Sequence, residues 1–135
     1  MKSFLQLKFL PANPGFALFL LRVWLGLSIF VLHGLPKLQK VLNHDYNFGD
    51  PIGIGRKGTL FLAVFVEVGC GLCLALGLMG RLAALLLAIT MGVAFVQYHH
   101  MSLGDPPNGE LAYIYLAGFL TIVRAGTGKY GIDRG

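Results

Sequence analysis

Four apolar runs, Pro14 to Leu35, Gly58 to Met79, Arg81 to Met101 and Gly109 to Val123, take up most of a 135-residue chain. A helix needs about 20 mostly apolar residues to cross roughly 30 Å of hydrocarbon. The first three runs meet that length; the fourth reaches it when Asn108, Glu110 and Arg124 sit at the interfaces. Backbone groups in lipid must be satisfied within their own segment, so four such helices on short connections predict one all-α architecture. It is an integral membrane four-helix up-down-up-down bundle, a single domain over residues 1–135. Composition agrees: 13% of residues are charged, against roughly 25% in a soluble domain. A disordered or ordinary soluble protein is excluded, and no length is left for an added soluble catalytic domain.

The first run follows Lys2 and Lys8, as the core of a signal peptide would, but it exceeds the roughly 7 to 15 residues of such a core. No Ala-x-Ala site follows it. His33, Gly34, Pro36 and Lys37 come instead, as at a helix end meeting an interface. The net charge of +5 lies in loops and helix ends, where Lys and Arg read as membrane-surface charge and not as a nucleic-acid site. Six cations, Lys2, Lys8, Arg81, Arg124, Lys129 and Arg134, fall on one side; four, Lys37, Lys40, Arg56 and Lys57, fall on the other. The excess predicts both termini in the cytoplasm.

The connections differ. Pro36 to Lys57 is an extended outer loop able to cap the bundle, Gly80 before Arg81 makes a tight hairpin, and Ser102 to Gly109, with Pro106 and Pro107, makes the second outer turn. Small residues, among them Gly69, Gly71, Ala75 and Gly77 in the second run and Ala83, Ala84, Ala88 and Gly92 in the third, let helix backbones approach closely.

Polar side chains inside spans are costly and usually face the interior, so chemistry is sought there. Arg22 lies roughly 10 Å from the inner boundary and Glu67 roughly 13 Å from the outer one, at 1.5 Å per residue, which predicts that the two pair. Such a pair serves helix order as readily as activity. A second cluster gathers toward the outer leaflet: His33 and Lys37 after the first run, Gln97, Tyr98, His99 and His100 after the third, Glu110 and Tyr113 at the start of the fourth. Histidine exchanges protons near neutral pH, and an adjacent carboxylate orients it or relays a proton, as protonation-coupled redox at a quinone ring needs. Interfacial Tyr and His also serve as plain anchors. His99 and His100 point about 100° apart on a helix, so at most one faces the interior.

Three other patterns carry less. Cys70 and Cys73 have dithiol spacing, but burial and Glu67 one turn earlier disfavour a thiolate, so they read as packing. Gly53, Gly55 and Gly58 spell a nucleotide-binding spacing with no strand before it. His33, His44, His99 and His100 offer haem nitrogens without a well-placed facing pair. No flavin, haem or metal site is expected.

Arg22, the His33-Gly34-Leu35-Pro36-Lys37 exit, Glu67, Gly77-Leu78-Met79-Gly80-Arg81, Gly109-Glu110 and the tail Gly126-Thr127-Gly128-Lys129-Tyr130-Gly131-Ile132-Asp133 together resemble the DoxX family of small four-helix membrane proteins. The resemblance runs over nearly the whole chain, and Thr127 departs from the usual Gly-Pro-Gly of that tail. It implies a subunit of a membrane oxidoreductase that passes electrons to quinone, with Arg22, Lys37, Glu67 and Glu110 carried over as functional. On the residues themselves, His99, His100 and Glu110 are the expected proton-exchanging groups, and Arg22, His33, Lys37, Glu67, Gln97 and Tyr113 the expected quinone-binding ones. Electrons would come from partner redox or membrane subunits. Membrane lipid surrounds the chain, and a homo-oligomer is left open. The competing readings are a structural or assembly subunit of a larger complex and a small lipid-binding or transport protein.

Overall fold

Asn13 starts the first long helix by accepting the Phe16 backbone N–H at 3.1 Å, and Pro14 follows at a position whose N–H has no intrahelical partner anyway. The computed structural model describes residues 1–104 and 108–133. After a short α1 (Lys2–Leu5) come α2 (Pro14–Leu42), α3 (Arg56–Leu76), α4 (Gly80–Tyr98) and α5 (Glu110–Ala125), with no strand among the described residues. α2, α3 and α4, of 29, 21 and 19 residues, are long and apolar enough to cross a membrane. α5 has 16 residues, or about 24 Å, short of a roughly 30 Å hydrocarbon layer. Pro106, Pro107 and Arg134 lie outside the described residues.

Each long apolar helix contains a π turn, at Ile29–Gly34, Phe65–Cys70 and Ala94–Tyr98. The first corrects an expected boundary, because α2 does not stop at Leu35. The Leu35 N–H reaches back five residues to the Phe30 carbonyl, and the shifted ladder accommodates Pro36, which has no N–H to give. The helix therefore continues to Leu42 and carries Lys37 and Lys40 on ordered turns.

α2 and α3 run antiparallel in close contact. A Cβ on Gly26 would stand 2.7 Å from the Gly71 carbonyl oxygen, and one on Gly34 would stand 2.9 Å from a Val68 methyl. These two contacts set the register between the helices. Gly69 and Gly92, expected at such contacts, have nothing within 4 Å of where a Cβ would stand, whereas Ala83, Ala84 and Ala88 are buried in the core with Leu74, Leu87 and Phe119.

The α3–α4 turn lies earlier than expected: residues 77–79 make it, and Gly80 is already the first residue of α4. Gly77, at φ 72°, ends α3 at Leu76, and the Leu78 N–H bonds back to the Cys73 carbonyl at 2.8 Å, a Schellman closure. The tail seals this corner. The Ile132 and Asp133 N–H groups bond the Leu76 and Gly77 carbonyls at 3.2 and 2.9 Å, the Asp133 carboxylate accepts from the Met79 N–H, and Thr127 fills the space beside Gly80.

G26A should lower stability by about 1–3 kcal/mol, because its methyl has only backbone to displace. G69A and G92A should leave stability unchanged or slightly higher. Unfolding in detergent–denaturant mixtures followed by helicity checks both.

Candidate functional site

The register of α2 on α3 decides which charges meet. Gly34 sits level with Glu67 and Val68, and Lys37 is one turn beyond it. Lys37 Nζ lies 2.8 Å from Glu67 Oε2, with the carboxylate side chain 5% exposed, and also donates to the His33 carbonyl at 3.4 Å. The expected Arg22–Glu67 pair is thereby corrected. Arg22 precedes Gly34 by twelve residues, about 18 Å along the helix, and so lies level with the other end of α3.

There Arg22, 1% exposed, caps the helix. Its Nη1 donates to the Ala75 carbonyl at 2.7 Å and to the Leu74 carbonyl at 3.3 Å, which also accepts the Gly77 N–H at 3.1 Å, at the C-terminal, partly negative end of α3. The guanidinium also lies 5.2 Å from the centre of the Phe19 ring, and its Nε and Nη2 have no hydrogen-bond partner among the described residues. Arg22 thus fixes the closed end of the helix pair, remote from the outer cluster.

The Lys37–Glu67 pair faces a cavity of about 580 Å³ between the outer parts of the helices. His33 and Lys37 from α2, Thr59 and Glu67 from α3, His99 after α4 and Tyr115 from α5 are its polar walls; Leu62, Ala63, Ile89, Val93 and Met91 are apolar ones. The His33 ring stands edge-on to Tyr115 with centroids 5.7 Å apart, and Tyr115 stacks on the buried Phe119. A mostly apolar pocket of this size with a few convergent polar groups suits a small amphipathic organic molecule.

Phe48, Gly49, Pro51 and Ile52 of the long connection roof the cavity. Asp50 holds that roof. Its carboxylate accepts from the Thr59 hydroxyl at 2.8 Å and from the Gly55 and Ile54 N–H groups at 2.9 and 3.1 Å, at the start of α3. The Thr59 hydroxyl and these amides hold the Asp50 carboxyl below the usual carboxylate range. On the other side of the loop Lys40 bonds Asp45 and the Asn47 carbonyl, each at 3.2 Å, and Gly49 lies against the Tyr98 ring.

Of the residues expected at the site, His33, Lys37, Glu67, Tyr98 and His99 line the cavity. Arg22, Gln97, His100, Glu110 and Tyr113 do not. Gln97 and His100 are exposed, His100 at φ 52° in the turn beyond α4. Glu110 is exposed on the first turn of α5, and Tyr113 turns outward against Phe95. Tyr115, two residues on and therefore on the other side of α5, is the tyrosine that enters; which one does so depends on packing that spacing alone leaves open. Asp50 escapes a reading confined to the spans, and Thr59, at the start of the second apolar run, stands out only once its hydroxyl is seen to bond the Asp50 carboxylate.

The fold and this site define an integral membrane protein whose helices enclose a roofed, polar-ended cavity. The family model described as DoxX matches residues 17–100, well over half of the chain, and the chain belongs to the DoxX family. The match takes in Arg22, His33, Lys37, Glu67 and His99 and ends before α5. An uncharacterized protein of Haemophilus influenzae is 30% identical over 114 residues, covering 78% of this chain and 80% of the relative. No solved structure matches the chain.

Removing one member of a buried ion pair strands the other, at roughly 3–5 kcal/mol, whereas replacing both with apolar groups is often neutral. K37M or E67L alone should therefore destabilise the protein strongly, and K37M/E67L should recover most of the loss in the same unfolding assay. For the roof, Asp50 bonds contribute above the ordinary carboxylate pKa and are lost as pH falls through its lowered one. D50A at neutral pH, like wild type below that range, should show faster amide hydrogen exchange at Ile54 and Gly55.

Proposed function

We propose that this protein binds a quinone in the roofed cavity and serves as the quinone-interacting subunit of a membrane oxidoreductase system. The observation that carries the reading is the convergence of Lys37–Glu67, His33 and His99 on one largely apolar cavity of about 580 Å³. In this reading α2, α3, α4 and α5 form an up-down-up-down four-helix bundle, one domain over residues 1–135, in the bacterial inner membrane. Both termini lie in the cytoplasm, on the side richer in Lys and Arg.

The residues present fit such a ligand: hydrogen-bonding groups stand at one end and hydrocarbon walls at the other. A bound quinone supplies two-electron, two-proton redox chemistry. Lys37, held by Glu67, presents a cation toward a ring oxygen, and His33, braced by Tyr115, bonds the same end. His99 exchanges protons at the mouth. Gly109 packs on His99, so the neighbouring Glu110, with His100, stands where protons pass between outer solvent and His99. Electrons come from a partner redox subunit, and assembly with that partner or with further copies of the chain belongs to the proposal.

Saturable binding of a short-chain benzoquinone by the purified protein tests this. H99A should weaken binding about tenfold, the loss of one charge-assisted or comparable hydrogen bond, with the unfolding transition unchanged. Binding that is absent in wild type, or equal in H99A and K37M/E67L, overturns the assignment.

A further inference from the structure

Tied or packed segments wall much of the cavity. Its roof is tied at Asp50–Thr59 and at Lys40–Asp45. α4 and α5 pack along their lengths, from Gly109 against Phe95 and His99 at one end to Arg81 Nε donating to the Val123 carbonyl at 2.9 Å at the other. α2 closes on α3 through Gly26 and Gly34. The outer half of α3 is different. Arg56–Val64 packs on Leu35–Leu42 and on the π turn that follows it, while α4 packs on Phe65–Leu76 and on α5. Among the described residues, no comparably extensive contact joins Arg56–Val64 to α4.

Two residues mark the resulting gap. Leu62 on α3 and Ile89 on α4 both line the cavity, yet they are 47% and 55% exposed on the lipid-facing surface. A side chain that reaches both a cavity and the outside stands at an opening. Leu111, Ile52 and Tyr98 also line the cavity and are exposed, but Leu111 stands on the packed α4–α5 seam, and Ile52 and Tyr98 stand at the roof that Asp50 and Lys40 tie down. The opening is apolar, flanked by Ala63 and Val93 on two helices long and apolar enough to cross a membrane, whereas His33 and Tyr115 are presented from α2 and α5.

We infer that the gap between the outer halves of α3 and α4 is a lateral portal, and that the ligand is a membrane-borne molecule with a polar ring or head and a long hydrocarbon tail. The head reaches Lys37, His33 and Glu67 directly from the bilayer, and the tail stays in the portal between Leu62 and Ile89, its end in lipid. This rests on the quinone reading of the cavity and specifies how that ligand is held. A water-soluble ligand would instead need a path through the tied roof.

A benzoquinone bearing a photoreactive group partway along an alkyl tail, used on the full-length protein in lipid nanodiscs with peptide mapping by mass spectrometry, tests the portal. The expected result is labelling of α3 around Leu62 and of α4 around Ile89, competed away by excess unlabelled tailed quinone. L62W and I89W should slow uptake of the tailed probe about tenfold, in line with the cost of overpacking an occupied gap. The same ring without a tail should bind wild type, and in both variants uptake of the tailed probe should fall further than that of the tailless one. Labelling on the roof or on α2, or equal uptake by the Trp variants, overturns the portal while tailless binding keeps the cavity reading intact. Loss of binding by both probes in wild type overturns the two together.

Discussion

The antiparallel register of α2 on α3 governs the rest of the molecule. It is set where Gly26 and Gly34 bring the two backbones into contact, and lipid, which offers no hydrophobic drive between helices, leaves such close packing as the main attraction. Every charge placed inside the spans follows from it. With Gly34 level with Glu67, the carboxylate falls within reach of Lys37; with Gly26 level with Gly71 and Ala75, Arg22 falls on the Leu74 and Ala75 carbonyls at the end of α3. One slip along this interface would strand all three groups in hydrocarbon.

The two ends of the helix pair consequently differ in character. At the Arg22 end the backbone is closed by the Gly77 turn and overlaid by the tail from Gly126 to Asp133, so the carbonyls from Cys73 to Gly77 are engaged by the turn, the tail and Arg22. At the Lys37 end α2 runs on past Pro36, the outer half of α3 follows it, and α4 leans instead toward α5. The separation leaves the cavity. The π turns lie on these outer stretches, in keeping with the tendency of π turns to occur at functional places in helices.

Much of this is legible from sequence, for definite reasons. Apolar length alone identifies α2, α3 and α4, and the cost of polar groups in lipid picks out Arg22 and Glu67 as residues needing an explanation, with Lys37 placed just beyond the first run. Depth counted from a helix end is a poorer guide, because it presumes where the helix ends. Pro36 reads as a terminus, yet the π turn before it carries α2 seven residues beyond Leu35, to Leu42. That error, with the unknown register, paired Glu67 with Arg22 instead of Lys37. Tyr115 was hidden for a related reason: in a single apolar run, Tyr113 and Tyr115 differ only in the face they occupy, which neighbours decide. The DoxX resemblance, by contrast, needs only the order of the motifs along the chain, and the family match over residues 17–100 agrees with it.

The central claim is that the Lys37–Glu67 end of the cavity holds an amphipathic quinone. The direct measurement is to purify the wild-type protein and K37M/E67L side by side in mild detergent, extract both, and identify the bound small molecules by mass spectrometry. A near-stoichiometric quinone in wild type, absent from a double variant with the same helicity, is the predicted result. A wild-type protein that carries no quinone, or a double variant that retains it in equal amount, would contradict the account.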